Sequence, residues 1–131
     1  MAKLFEELED TTEDSEKTCE ELIEEIGSEL TLHAELEEAT LYPITEELKK
    51  THKLTLESEQ EHHVIKVLLI ELEVLDCNTE EWAAKAKVLE ENVNHHVEEE
   101  EKADGLFERT EKALGKEGVE KLRQQMEAYL G

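Results

Sequence analysis

The sequence predicts an all-α protein folded as a single domain over residues 1–131. Three observations carry that reading. One proline and five glycines in 131 residues leave few places for sharp turns, whereas a fold of many short strands needs a turn every few residues. Apolar side chains recur at i, i+3, i+4 and i+7 over several long stretches, the spacing of one buried helix face. Between those stripes the positions are filled by acid: 14 basic against 37 acidic residues give a net charge of −23. Low hydrophobicity with high net charge is also the composition of disordered chains, but here the apolar residues are arranged, not scattered.

The elements follow from the punctuation. Leu4 to Glu9 reads as a short helical piece, and the polar run Asp10-Thr11-Thr12-Glu13-Asp14-Ser15 supplies capping residues for a long helix over about 16–42. Its core stripe is Cys19, Ile23, Ile26, Leu30, His33 and Glu37. Pro43 is expected to interrupt or re-angle that helix, leaving a polar, partly helical connection from Ile44 to Leu56. A helix over about 56–75 carries His62, Ile65, Leu69 and Leu72 on one face. Asn78 or Thr79 then caps a helix over about 79–104 with Trp82, Ala86, Leu89, Val93, His96 and Glu100 in phase. Asp104-Gly105 breaks it, and tail helices over about 106–129, divided near Gly115, carry Leu106, Phe107, Leu114, Val119, Leu122 and Met126.

The charge excludes whole classes of partner. Phosphates repel so acidic a surface and no basic stripe exists to neutralise them, so neither a nucleic acid nor an anionic membrane surface is expected. There is no apolar run of 18 residues and no leader-like amino terminus, which predicts no membrane span and a cytoplasmic location. Cys19 and Cys77 are far apart without a Cys-x-x-Cys spacing, so both are expected to be reduced thiols. No nucleophile with a base at suitable spacing and no phosphate-binding glycine loop is present.

What remains is a histidine and glutamate constellation. His33-Ala34-Glu35-Leu36-Glu37 and His96-Val97-Glu98-Glu99-Glu100 echo one another, each followed by an apolar-aromatic pair. Two such units would form an up-down four-helix bundle whose His-x-x-x-Glu helices share a centre. Residues four apart on a helix lie one above the other, so each pair can aim an imidazole and a carboxylate at one point. That donor chemistry suits iron, manganese or zinc. Helix phase selects His96 over its alternate His95 and His62 over His63, the latter less decisively because His63 shares a second partly apolar face with Val67 and Ile70. His52 falls in the connection and is expected to be solvated. Since 33 of the 37 acids are glutamate, a chance His-x-x-x-Glu pair is cheap; three helices each placing a histidine in core phase are not.

On Glu-Leu-Thr-Leu-His-Ala-Glu-Leu-Glu-Glu-Ala-Thr-Leu-Tyr-Pro at 29–43, Glu-His-His-Val-Ile at 61–65 and Asn-His-His-Val-Glu-Glu-Glu-Glu at 94–101, the chain resembles the hemerythrin family, specifically its HHE cation-binding proteins. The resemblance covers about residues 4–128. It implies a four-helix bundle with a non-haem di-iron centre that binds dioxygen, peroxide or nitric oxide, or senses iron or redox state. The ligands it implies are His33, Glu37, His62, His96 and Glu100. Two departures accompany it. The family's opening histidine would fall before Met1, giving a truncated first helix, and the apolar-aromatic pair lies eight residues after His33 but ten after His96, which makes Glu101 the alternate to Glu100.

A histidine-poor shell is expected to admit water and to favour weak oxidase or peroxidase chemistry over reversible carriage. The groove left by a short first helix invites a homo-oligomer, or the carboxy-terminal helix folding back into it. The competing expectations are a single-ion zinc site with a structural role and a metal-free acidic helical scaffold acting as an interaction module.

Overall fold

The computed structural model describes residues 18–131. Among them every regular element is helical and no strand occurs: α1 (Cys19–Leu36), a π-helical turn (Glu37–Leu41), α2 (Tyr42–Thr45), α3 (His52–Val74), α4 (Glu80–Glu101) and α5 (Leu106–Leu130). The short helix expected at Leu4–Glu9, and with it the truncated first helix, lies outside the described residues. No described helix is long and apolar enough to cross a membrane.

The Thr18 hydroxyl caps α1 by accepting the Glu21 N–H at 3.2 Å, and Glu20 and Glu21 place negative charge at the positive end of the helix dipole. Leu22, Ile23 and Ile26 are its buried face. Helical structure continues through Pro43, where the sequence predicts an interruption or a re-angling. The chain widens into the π turn just before it and continues as α2 with Pro43 in its first turn. A proline ring collides with the carbonyl four residues back in a regular helix, and a wider turn moves that carbonyl aside. The extra residue also resets the helical phase, and three consecutive residues, Thr40, Leu41 and Tyr42, are buried there.

The connection after α2 is shorter than expected, and α3 begins at His52, four residues before the predicted start near Leu56. Buried threonines make the difference. Thr51 donates to the Thr45 carbonyl at 2.6 Å, while Thr55 bonds the Thr45 hydroxyl and the Thr51 carbonyl at 2.7 Å each, satisfying polar groups that would otherwise oppose burial. His52 is exposed, with Nδ1 2.6 Å from the Glu46 carbonyl oxygen.

α3 and α4 form an antiparallel hairpin. Thr79 rather than Asn78 caps α4, accepting the Trp82 N–H at 3.2 Å, and the Trp82 indole donates to the Leu72 carbonyl at 3.1 Å. α1 lies antiparallel to α3 on its other side. At the end of α4 the chain turns through Asp104, at φ 60°, and Gly105, where a Cβ would stand 2.6 Å from the Glu99 carbonyl oxygen. Gly115, at φ 70°, divides α5 by a kink at the predicted place.

Two apolar clusters result. The larger joins Leu22, Ile23 and Ile26 of α1 to Ile65, Leu69 and Leu72 of α3 and Trp82, Leu89 and Val93 of α4. The smaller comprises Leu41, Tyr42, Leu106 and Leu122, with Ile44, Leu54, Leu114 and Met126 against it. In the π turn, α3 and α4 alike, the residues between the clusters are polar: Glu37, His62, and His96 with Glu100.

One expectation is corrected here. Cys19 and Cys77 are joined as a disulfide, Cα to Cα 6.4 Å, across 58 residues of sequence. The antiparallel packing of α1 on α3 brings the start of α1 to the α3–α4 loop, a proximity invisible in cysteine spacing.

Leu89 is fully buried in the larger cluster, whereas Ile70 on the outer face of α3 is 53% exposed. Leu89→Ala is therefore expected to destabilise the fold by about 2–5 kcal/mol, and Ile70→Ala to stay within about 0.5 kcal/mol. Urea unfolding of the two variants measures the contrast.

Candidate metal centre

The polar layer is built from three helical segments. The π turn supplies Glu37, the middle of α3 supplies His62, and the last turns of α4 supply His96 and Glu100. One donor atom each from Glu37, His62 and His96 lies within 4.8 Å of the others. His62 Nε2 stands 3.1 Å from His96 Nε2 and 3.2 Å from Glu37 Oε1. His96 Nε2 lies 3.5 Å from the same Glu37 oxygen and 3.1 Å from Glu100 Oε1. Around an ion with bonds of roughly 2.1 Å, neighbouring donors sit about 3.0 Å apart in an octahedron and about 3.4 Å in a tetrahedron. The observed edges fall on that scale.

The far nitrogens of both rings are held. Glu38 Oε1 faces His62 Nδ1 at 3.3 Å, and Glu61 Oε1 faces His96 Nδ1 at 2.9 Å. A carboxylate on Nδ1 fixes the ring and turns Nε2 toward the centre, the arrangement that makes histidine a better metal ligand once Nε2 gives up its proton. The Tyr42 hydroxyl lies 3.3 Å from His62 Nε2.

The electrostatics of the four central groups are opposed. Burial pushes Glu37 up, but hydrogen bonds from His62 and His96 outweigh it and hold the carboxyl well below its ordinary range. Burial raises Glu100 to about 8, with the Glu37 carboxylate adding to burial and His96 opposing both. For His96, burial alone would lower the imidazole, yet the carboxylates of Glu100, Glu37 and Glu61 prevail and push it up to about 11. Burial and the nearby negative charges of Glu37 and Glu100 push the Tyr42 phenol far above its usual range. Protons thus do what charge the site can bear. They leave one atom unserved: Glu100 Oε2 is buried without a hydrogen-bond partner. Two imidazole nitrogens, a converging carboxylate and an orphaned carboxylate oxygen fit a transition-metal cation.

Of the residues read from the sequence, the structure brings Glu37, His62, His96 and Glu100 together. His63, His95 and Glu101 are exposed, and His95 Nε2 lies 3.3 Å from the outer oxygen of Glu61. His33 is also exposed and stands apart from the group. It is about 100° around α1 from Ala34, and at this level the inward side of α1 is taken by the half-buried Leu30, Ala34 and Glu37. Glu38, Glu61 and Tyr42 were missed by sequence reasoning. Glu61 directly precedes His62, but nothing distinguishes it there from a solvated glutamate; the Leu-Tyr-Pro run marked Tyr42 as core without marking its hydroxyl.

Beside the layer a recess of about 40 Å³ is lined by Leu54, Glu57, Ser58, Glu61, His95, Glu99 and Leu106. It has room for a few water-sized molecules.

A family model described as "Hemerythrin HHE cation binding domain" matches residues 1–109. No curated protein and no solved structure matches the chain.

Two outcomes are expected of the layer. Glu61→Gln should weaken metal affinity by roughly 10–100-fold, read by zinc titration calorimetry, and Glu38→Gln by less because that side chain is 50% exposed. Near neutrality His96 and Glu100 both hold protons that a metal must displace, so affinity should rise with pH, steeply up to about 8 and more slowly toward about 11. Below pH 8 the gain is expected to be at least about tenfold per pH unit; an affinity flat between roughly pH 6 and pH 9 would contradict it.

Proposed function

The chain belongs to the hemerythrin HHE cation-binding family, and on that premise we propose that it holds iron through Glu37, His62, His96 and Glu100 and offers it to a small ligand. One observation carries the reading: two imidazole Nε2 atoms and two carboxylates converge in a buried layer where the second oxygen of Glu100 has no partner. Iron bound there supplies a redox-active Lewis acid for dioxygen, peroxide or nitric oxide. The chain's own part is to orient the donors, through Glu38 and Glu61.

The mixed nitrogen and oxygen donor set favours iron, manganese or zinc over calcium or magnesium. A structural zinc ion is the second reading, because four donors suffice to close a tetrahedron. The di-iron reading asks for donors beyond these four.

Elemental analysis of protein expressed with added iron, with its visible spectrum in air, tests the proposal. One iron per chain is expected for a four-donor site and two for a di-iron centre; stoichiometric zinc would establish the structural reading instead. His96→Ala should abolish stoichiometric binding while the helical circular dichroism persists. A wild-type chain that takes up no metal, and whose melting is unchanged by chelation, would leave the acidic scaffold as the function.

A further inference from the structure

The donors so far assigned leave one polar group of the layer unexplained. Tyr42 is 2% exposed, and its hydroxyl oxygen reaches His62 Nε2 at 3.3 Å, with the rings 5.3 Å apart. The same His62 Nε2 lies 3.2 Å from Glu37 Oε1, so the phenol oxygen, the imidazole nitrogen and the carboxylate meet at one point. That nitrogen is one a metal takes, and the phenol oxygen, which also has the Ser58 side chain as a hydrogen-bond partner, then stands beside the cation. It cannot swing clear: Tyr42 is fixed between the π turn and Pro43, and its ring is packed with Leu41, Leu106 and Leu122.

We propose that Tyr42 is itself a ligand, its phenolic oxygen joining Glu37, His62, His96 and Glu100 as a protein donor to ferric iron. The proposal rests on the metal-binding reading above. The O–H bond is exchanged for an oxygen–iron bond, the proton leaves to solvent, and no oxidation state changes. Phenolate is an iron donor elsewhere in protein chemistry. Here it stands where a donor set without His33 is short of one member.

The test uses the fact that the chain has two tyrosines, the second of which, Tyr129, is exposed. Ferric-loaded wild type, Tyr42→Phe and Tyr129→Phe are compared at saturating iron by visible absorption, resonance Raman spectroscopy and elemental analysis. Wild type and Tyr129→Phe are expected to show a phenolate-to-iron charge-transfer band with tyrosinate ring modes, and Tyr42→Phe to lose both while retaining iron. If Tyr42→Phe does not fold, persistence of the band in Tyr129→Phe assigns it to Tyr42 by elimination. The band surviving in Tyr42→Phe, or absent from iron-loaded wild type, overturns the ligand assignment alone. Wild type that holds no iron overturns the metal reading, and the ligand assignment with it.

Discussion

Opposed charge in a buried layer is the constraint on which the rest of the structure depends. Two carboxylates that face each other inside a protein cannot both ionise cheaply, and two imidazoles placed against them can carry only part of the compensation. The chain answers with protons on Glu100 and His96 and with Glu38 and Glu61 bracing the rings from outside. Such an arrangement opposes folding unless something is gained from it. A cation at the convergence would replace the protons, serve the stranded Glu100 oxygen and convert repulsion between Glu37 and Glu100 into shared attraction.

The apolar clusters on either side make this tolerable. The larger holds α1, α3 and α4 together, while the smaller seals the far side with the π turn and α5. The polar layer is therefore clamped by packing it does not itself provide, which is how donors are kept close to productive geometry before any ion arrives. Outside, a net charge of −23 surrounds the molecule with a negative potential that concentrates cations near its surface.

Much of this was legible in the sequence, and what was not has identifiable causes. Apolar periodicity carries helical phase along a straight helix, so the sequence places α4 at about 79–104 against an observed Glu80–Glu101, with Asn78 or Thr79 at its cap and the α5 break near Gly115. Phase likewise turned His62, His96 and Glu100 inward in preference to their exposed neighbours. It failed where the helix is not regular: the π turn before Pro43 shifts everything after Glu37 by one residue. It also failed where burial depends on what lies opposite. His33 is in phase yet exposed, and the buried threonines Thr45, Thr51 and Thr55 look like any polar connection until their mutual bonds are seen. Glu38 and Glu61 could not have been separated from 33 glutamates by composition or spacing, because their role is defined by a ring on another helix.

The bond between Cys19 and Cys77 divides the candidate donors topologically. Glu37 and His62, with the proposed ligand Tyr42, lie inside the covalent ring it closes, and His96 and Glu100 lie on the chain that leaves it. Thiol reagents commonly used to keep iron ferrous would open that ring as well as change the metal, and the two effects would be read as one. A reductant without a thiol separates them, and with it the electron count of the centre can be followed while the ring stays closed.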